Sequence, residues 1–542
     1  MAGNNRRTSP DHETTAWPPG VPYIIGNEGC ERFSYYGMKS ILTIHLTTLY
    51  AAEGLATEAA GNNATMMAHI FFAGVYAFPM IGALLADRLL GKYNTIFWLS
   101  LVYCAGHGVL AIGENSLGGM ALGLGLIAIG SGGIKPCVSA NVGDQFGRGN
   151  WFRVKTIFQA FYFIINFGSF FATLLIPLIR EHFGTTYAFG LPGVLMLIAT
   201  IFFWAGRDKY VHVPAKPGGK IGMLDTAAAI SLFMVFGHLL VTAKVLHLSG
   251  WQMFGVSVAF LILGLILFIL RQKAAPDDGF MAVLLYSLQQ RFLGSNRIEP
   301  AEGVAVDTHH PLYASRFWRP AVARWGGEIT EGPVAVLKII SVFFLVSVFW
   351  ALFEQHSSTW ILQAKTMDLH FLGMNLLPSQ IGALNPLMVM ILIPVMNAVY
   401  SLSAKIGYEP TALRRMTIGM VITSTSFIAI ALIQQAIDNS GPGVISVGWQ
   451  IIPYVLVTIA EVMVSITGLE FAYTQAPKRM KSTIMGFWLL TVSLGQVLVS
   501  LLASLEDLPR VTFFWAFAWM MLGAAVLFGL RARFYKVKDY TQ

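Results

Sequence analysis

The stretch that decides the fold lies near the N-terminus and reads Glu28-Gly29-Cys30-Glu31-Arg32-Phe33-Ser34-Tyr35-Tyr36-Gly37-Met38-Lys39. Its side chains at positions 28, 31, 32, 35 and 39 share one face of a predicted helix. The apolar residues that follow, up to Leu49, predict that this helix continues into a membrane span. Because each charge at the centre of a span costs about 2.5–3.5 kcal/mol, charges of both signs on one face indicate functional side chains.

The composition of the chain is that of a membrane protein. Of its 542 residues, 55% are hydrophobic and only 12% are charged, whereas soluble domains carry about 25% charged residues. The mean hydropathy is +0.62. Apolar segments long enough to cross a bilayer recur along the whole sequence, so we predict an all-α polytopic membrane protein.

The apolar segments predict fourteen spans, arranged as two bundles of six helices with an inserted pair between them. The first six lie near 23–50, 64–89, 94–113, 119–143, 153–179 and 187–206, and the inserted pair near 222–245 and 251–271. The last six lie near 334–363, 379–402, 413–436, 447–474, 482–504 and 512–533.

The non-membrane segments complete the predicted organisation. It consists of a cytoplasmic tail (1–22), an N-terminal bundle (23–206), an inserted hairpin (207–271), a cytoplasmic linker (272–333), a C-terminal bundle (334–533) and a second cytoplasmic tail (534–542). The linker contains a short helical pattern from Phe280 to Phe292. The inserted hairpin carries few charges, and we expect it to face lipid without a role in the site.

Lysine and arginine are concentrated in the loops on one side of the predicted bundle. The loops on the other side hold only Arg180, Lys244, Lys365 and Arg510. The positive-inside rule then predicts a multi-pass protein of the cell membrane with both termini in the cytoplasm. A net charge of +8 distributed in this way indicates contact with anionic lipid rather than with nucleic acid.

Several motifs resemble those of known transporters. The loop after the second span, from Gly82 to Lys92, resembles the inner-loop signature of the major facilitator superfamily, in which Asp87 and Arg88 would act in gating. Five further segments together resemble those of the proton-dependent oligopeptide transporter (POT) family. They are the first-span stripe and residues 129–137, 143–146, 161–169 and 349–355. The resemblance extends from Tyr23 to the end of the eleventh span, and the inserted pair resembles bacterial members.

The resemblance implies the major facilitator fold and the import of di- and tripeptides. Such a carrier must bind what all peptides share, which requires a cationic and an anionic pole. The resemblance implies that Arg32 and Lys135 bind the peptide carboxylate, and that Glu461, with Asn166 and Asn385, binds the amino terminus. It also places aromatic and hydroxyl side chains in the cavity wall: Tyr35, Tyr36, Tyr76, Tyr162, Trp350, Trp488 and Ser465. For each aromatic residue, ordinary helix packing is the alternative.

Coupling to protons requires acids and bases that burial can bring into titration range. The resemblance implies that Glu28, Glu31, Arg32, Lys135 and Glu354 carry the coupling. His69, in the second span, matches a histidine that animal peptide transporters use for this purpose. No cofactor beyond the coupling proton is expected.

The predicted inner gate departs from the family pattern. Lys338 matches a seventh-span cation that pairs with an eighth-span aspartate in some relatives, but this sequence has Asn397 at that position. A Lys338–Asn397 hydrogen bond would be weaker than an ion pair.

A proton-coupled carrier of another small solute, such as nitrate, is the alternative to peptide import. His356 keeps this alternative open because plant nitrate carriers use a seventh-span histidine. An anionic pole at Glu461 favours a zwitterion over nitrate. The sequence has no His-Glu-x-x-His, Gly-x-Ser-x-Gly or Walker motif, so an enzyme is not predicted. No obligate protein partner is evident.

Overall fold

The computed structural model describes residues 7–244, 246, 248–276, 278–292, 308–408, 410–475, 481–503 and 508–537. Six long helices form the N-terminal bundle: α1 (Val21–Ala52), α2 (Thr57–Leu85), α3 (Lys92–Gly113), α4 (Leu117–Gly143), α5 (Val154–Phe183) and α6 (Thr185–Ala205). The inserted hairpin consists of α7 (Gly219–Gly237), the short α8 (Leu239–Lys244) and α9 (Gly250–Ala274).

The linker and the C-terminal bundle follow. In the linker, α10 occupies Phe280–Phe292, the residues of the short helical pattern, and α11 occupies Arg319–Trp325. The C-terminal bundle contains α12 (Gly327–Phe353), α13 (Thr359–Ala364), α14 (Leu384–Lys405), α15 (Ala412–Ser440), α16 (Ile451–Glu461), α17 (Thr467–Thr474), α18 (Lys481–Ala503) and α19 (Arg510–Arg533). A small antiparallel pair, β1 (His370–Phe371) and β2 (Met374–Asn375), lies between α13 and α14.

Twelve helical segments in the described part of the chain are long and apolar enough to cross a membrane. They include α7 and α9 of the inserted hairpin. Helix α1, which is 32 residues long and carries the charged stripe, and α18, which has 23 residues, lie outside that set. The all-α membrane fold is confirmed, whereas the count of fourteen spans and the predicted domain boundaries stay predictions.

Two separate apolar cores define the two bundles. One core contains residues of α1 to α6, such as Met38, Phe72 and Phe189, and the other contains residues of α12 to α19, such as Phe349, Phe427 and Phe514. The bundles meet where α2 packs against α18 and where α5 packs against α14. Because each bundle has its own core, the contact between bundles can change without unfolding either one.

Two predicted spans are interrupted at acidic residues. The seventh span is not one continuous helix, because α12 ends at Phe353 and a 3-10 turn covers Glu354–Ser357 before α13. The tenth span contains a π-helical turn at Val462–Ile466, directly after Glu461. A second π-helical turn, Ala86–Leu90, follows α2 and contains Asp87 and Arg88. Such turns concentrate at functional sites in helical proteins.

The segment before α1 is held against the loop between α4 and α5. The Asn150 side-chain amide donates to the carbonyl of Ala16 (2.9 Å), and Arg153 Nε donates to the carbonyl of Thr15 (3.0 Å). The guanidinium of Arg153 also lies over the ring of Trp17. These contacts fix the entry of the chain into α1.

A glycine sets the spacing between α2 and α4. A Cβ atom added at Gly82 would lie 2.3 Å from the carbonyl oxygen of Gly132 and 2.6 Å from the Cα of Gly133. The two helices therefore approach closely only because position 82 has no side chain. Gly125 of α4 provides the contrast, since a Cβ there would meet no atom within 4 Å.

We predict that Gly82→Ala destabilises the protein by about 1–3 kcal/mol, because the added methyl group overpacks the α2–α4 contact. The matched control, Gly125→Ala, should be neutral or stabilising, since alanine is the better helix former by about 1 kcal/mol. Thermal unfolding of both variants in detergent measures the difference. Equal unfolding midpoints would contradict the close contact.

Candidate functional site

The charged stripe of α1 forms an ion-paired cluster in the N-terminal bundle. Arg32 Nε lies 2.7 Å from Glu28 Oε1 and 3.4 Å from Glu31 Oε2. Both carboxylates are buried, whereas the Arg32 side chain keeps 13% of its surface exposed. Ser131 of α4 lies 3.5 Å from the other oxygen of Glu31. Arg32 is therefore held by two acids and still reaches open space.

Lys135 of α4 lies against aromatic faces instead of an acid. Its ammonium lies 3.9 Å from the centre of the Tyr35 ring and 4.9 Å from that of Tyr76. Cation–π contacts of this kind stabilise a desolvated cation by about 2 kcal/mol. No ion pair of Lys135 within 4 Å is seen among the described residues. Aromatic rings, and not a carboxylate within 4 Å, are therefore what compensates this cation in the described part of the chain.

Glu461 forms the opposite pole, in the C-terminal bundle. Its Oε2 accepts a hydrogen bond of 2.9 Å from the side-chain amide of Asn385, on α14. The same amide nitrogen lies 3.2 Å from the hydroxyl of Thr458, one helical turn before Glu461. The Glu461 side chain is partly exposed. Asn385 thus orients the carboxylate while its own amide oxygen stays free to accept.

Asn166 is placed differently from Asn385. Its side-chain amide donates to the carbonyl of Tyr162, one turn earlier on α5, over 2.9 Å. The structure does not bring it into a hydrogen bond with Glu461 among the described contacts. Its role at the amino-terminal pole therefore stays a prediction.

Tyr36 of α1 and Tyr162 of α5, two of the tyrosines predicted for the cavity wall, are both accessible. Tyr162 is 38% exposed. Tyr36 and Asn385 also border one cavity, together with Lys39, Ser169, His356 and Ser379. This cavity lies between the bundles, since residues of α1 and α5 border it on one side and residues of the C-terminal bundle on the other.

A buried ion pair joins the bundles beside this space. The ammonium of Lys39, on α1, donates to Glu354, where α12 ends. Both side chains are buried, and Lys39 also lies 4.7 Å from the centre of the Phe72 ring. We define the side of the molecule where α1 begins as the inner side and the side where it ends as the outer side. On this definition the pair lies on the outer side of Arg32.

His69 of α2 is a second connection between the bundles. Its Nδ1 lies 2.6 Å from Gln496 Oε1 on α18, and its Nε2 lies 2.8 Å from the hydroxyl of Ser358. Two further bonds run from α18 to α2, from Ser493 to the carbonyl of Ala73 and from Ser500 to that of Met66. His69 is fully buried and uses both ring nitrogens.

Two of the aromatic residues predicted to line the cavity wall are instead buried in a helical core. Trp350 and Trp488 are buried, with ring centres 6.1 Å apart, and Trp488 packs on Phe343. Their rings belong to the core of the C-terminal bundle. Ser465 lies in the π-helical turn after Glu461, and its buried hydroxyl has no hydrogen-bond partner in the described structure.

The predicted gating residues divide into two groups. Asp87 is exposed, whereas Arg88 lies 3.5 Å from Asp225 of the inserted hairpin. Lys338 and Asn397 are both exposed, and no hydrogen bond joins them in the described part of the chain. The predicted Lys338–Asn397 hydrogen bond is therefore not seen among the described residues. Lys338 instead borders a cavity with His310 and Lys536.

Several residues that connect the two bundles or orient the site were not predicted to have a role. Lys39 could have been found, because it belongs to the first-span stripe and its spacing places it on the same helix face as Glu28 and Arg32. Thr458, Ser358 and Gln496 gave no signal, since isolated polar residues in spans are common and their partners are remote in sequence. His356 donates to the carbonyl of Phe353 and also borders the cavity that Tyr36 and Asn385 line.

Two helical bundles that meet around a polar centre are the architecture of the major facilitator superfamily. A model of the POT family matches residues 93–227 and 328–520, which make up more than half of the chain. The chain therefore belongs to the POT family.

Individual relatives agree with this assignment. Peptide transporter family 1 of Drosophila melanogaster is 33% identical over 439 residues, which cover 78% of this chain and 48% of that protein. Solute carrier family 15 member 1 of Homo sapiens is 30% identical over 460 residues, covering 80% of this chain and 54% of that protein. The chain spans about half the length of these curated relatives.

Solved structures match over almost the entire chain. The crystal structure of an auto-inhibited POT family peptide transporter is 38% identical, with a TM-score of 0.76, and covers 97% of this chain and 99% of that one. The crystal structure of the POT family transporter PepTSo is 40% identical, with a TM-score of 0.75, covering 96% and 98%.

We predict that removing one partner of the Lys39–Glu354 pair costs about 3–5 kcal/mol, because the other charge is left buried and unpaired. The double variant Lys39→Met/Glu354→Leu should cost much less than the two single changes together. As a control, Lys92→Gln removes the partly exposed Lys92–Asp144 pair (2.6 Å) and should cost about 0–1 kcal/mol. Thermal unfolding in detergent measures all four proteins. Additive single effects would show that the pair is not coupled.

Proposed function

We propose that the protein is a proton-coupled symporter that imports di- and tripeptides. The observation that carries this proposal is the placement of opposed charges in the two bundles, with Arg32 and Lys135 on one bundle and Glu461 with Asn385 on the other. A short peptide is a zwitterion, so its carboxylate and its ammonium group have complementary partners in the two bundles. Peptide transport by relatives of this family supports the same conclusion.

The carboxylate of the peptide is assigned to Lys135 and Arg32. Lys135 has no acidic partner within 4 Å among the described residues, so an incoming carboxylate would be its first counter-ion. Arg32 is already bonded to Glu28 and Glu31. It becomes available once protonation of one of these acids weakens the pair, which links substrate binding to the proton.

The amino terminus of the peptide is assigned to Glu461. Asn385 holds this carboxylate by one oxygen, and partial exposure leaves the other side open. An anionic group here opposes the binding of nitrate, which would face a like charge. This contact therefore favours a zwitterion over the nitrate alternative.

Alternating access is supported by the distribution of contacts between the bundles. In the described residues, the hydrogen bonds that join the bundles lie from the middle of the spans to the outer side, as in the Lys39–Glu354 pair and the bond from Gln380 to the carbonyl of Leu174. The arrangement is that of a carrier closed on its outer side. Proton uptake by Glu354 would free Lys39 and open that contact, and His69 would take part through its bonds to α18 and Ser358.

The proposal includes an orientation in the membrane. We assign the inner side to the cytoplasm, with both chain ends there, because the basic loops lie on that side. Anionic lipid headgroups are the expected partners of these loops.

The direct test is uptake of labelled dialanine into proteoliposomes under an inward proton gradient. We expect concentrative uptake that unlabelled tripeptide competes with, and that free alanine and nitrate do not. Competition by nitrate alone would favour the alternative carrier. Uptake that is indifferent to the proton gradient would contradict symport.

We predict that Glu461→Gln weakens dialanine binding about 10- to 100-fold, since a charge-assisted bond contributes about 1.5–3 kcal/mol. N-acetylated dialanine, which lacks the ammonium group, should lose far less. Glu470→Gln is the matched control, because Glu470 is exposed on the following helix α17. Competition assays give both affinities. Equal losses for the two peptides would contradict the assignment of the amino terminus.

We predict that Glu31→Gln abolishes proton-driven accumulation while peptide exchange at equal pH continues. The amide keeps the shape of the side chain but cannot take up the coupling proton. Glu328→Gln, at the exposed start of α12, serves as the control. Uptake and counterflow of dialanine are measured on the same vesicles. Full uphill uptake by Glu31→Gln would refute its part in coupling.

A further inference from the structure

The inserted hairpin buries almost nothing of its second helix. Among the residues of α9, only Gly264 and Arg271 are buried. Gly264 lies against Leu232 of α7, and Arg271 Nε lies 2.6 Å from Asp225 Oδ1, also on α7. A hairpin that merely faced lipid would not need a buried ion pair, because burying two charges costs free energy that their attraction must offset.

The second oxygen of Asp225 extends the pair to the N-terminal bundle. Asp225 Oδ2 lies 3.5 Å from Nη1 of Arg88, in the π-helical turn that follows α2. The side chains of Asp225 and Arg271 are only 14% and 6% exposed, whereas Arg88 is 40% exposed. One carboxylate thus connects two guanidinium groups, one in the hairpin and one at the inner end of α2.

Backbone contacts also hold the start of the hairpin against the π-helical turn that contains Asp87 and Arg88. The amide of Lys216 donates to the carbonyl of Asp87 over 2.9 Å, and that of Gly218 donates to the carbonyl of Arg88 over 3.1 Å. A Cβ atom at Gly222 would lie 2.0 Å from the carbonyl oxygen of Arg88. The start of the hairpin therefore lies directly on the π-helical turn, and position 222 permits that approach only without a side chain.

The element held in this way is one of those that join the two bundles. Helix α2 packs along α18, and its His69, Ala73 and Met66 carry the hydrogen bonds to the C-terminal bundle. Any relative motion of the bundles must change this contact. A fixed inner end of α2 consequently restricts how α2 can tilt against α18.

We propose that the inserted hairpin is a conformational brace for α2, in which Asp225 and Arg271 hold the π-helical turn and so set the balance between the open and closed states of the inner side. Both are positioning residues, remote from the peptide. The proposal rests on the proposed function only in that this balance belongs to a transport cycle, since the brace itself requires no substrate.

The test measures the inner opening without peptide or proton gradient. Spin labels at positions 140 and 401, both exposed at the inner ends of α4 and α14, report the distance between the bundles in a variant without native cysteines. We expect Asp225→Asn to shift and broaden the distance distribution, and Asp225→Glu to restore it. Asp208→Asn is the matched control, because Asp208 forms only an exposed pair with Arg207 at 4.0 Å.

A second variant keeps the test decisive if Asp225→Asn folds poorly. Gly222→Ala leaves every charge in place and displaces the hairpin from Arg88, so it should shift the distances in the same way. An unchanged distribution in a folded Asp225→Asn or Gly222→Ala protein would overturn the brace. This result is independent of dialanine uptake, so failure of the brace and failure of peptide transport are distinguishable.

Transport kinetics provide the second readout. A brace sets how often the carrier reorients, so Asp225→Asn should change the maximal rate of dialanine counterflow by about threefold or more, in the range of couplings between contacting residues. The half-saturating concentration should stay within that factor, because the peptide contacts are intact. A change confined to the half-saturating concentration would overturn the proposal.

Discussion

A charge can remain in the apolar interior of a membrane protein only when another group compensates it, and this requirement organises the centre of the molecule. Arg32 is compensated by two acids of its own helix, Lys39 by Glu354 of the other bundle, and Glu461 by the amide of Asn385. Lys135 is the exception, because it is compensated by tyrosine rings. Lys135 is therefore the cation for which a ligand carboxylate would supply the missing counter-ion.

Some of the compensating groups lie within one bundle, and others connect the two bundles. The Arg32 cluster lies within one bundle, so it is preserved whichever way the bundles move. The Lys39–Glu354 pair connects two bundles with separate cores, so its energy depends on their relative position. In the proposed mechanism, a proton that neutralises Glu354 would remove a bond between the bundles, whereas one that neutralises Glu28 or Glu31 would change the state of Arg32. Protons would then act separately on gating and on binding.

Much of the fold could be predicted from the sequence, and the reasons are physical. The bilayer requires long apolar helices, so the spans follow from hydropathy, and the stripe on α1 follows from helical periodicity. The ends of the spans were less predictable, since α1 and α2 extend beyond the apolar residues. The breaks at Glu354 and after Glu461 had no local signal, because no proline or glycine occurs within either break.

The candidate site was predictable in its residue types and less so in its partners. Spacing alone placed Glu28 beside Arg32, because they are four residues apart on a helix. The bonds of His69 to Gln496 and of Asn385 to Glu461 join residues that are 427 and 76 positions apart, and no local pattern contains that information. The same applies to Asp225, whose partner Arg88 precedes it by 137 positions. The sequence shows that Asp225 is a charge in a hairpin predicted to face lipid, but it does not show that Asp225 contacts Arg88.

The π-helical turn after Glu461 has a consequence for the direction in which that carboxylate points. Such a turn contains about one residue more than an α-helical turn, so the residues after it are offset by about 100° around the helix axis from their places in a regular α-helix. Glu461 stands directly before this surplus residue, so the position of the turn sets how the carboxylate is oriented relative to α17, which follows.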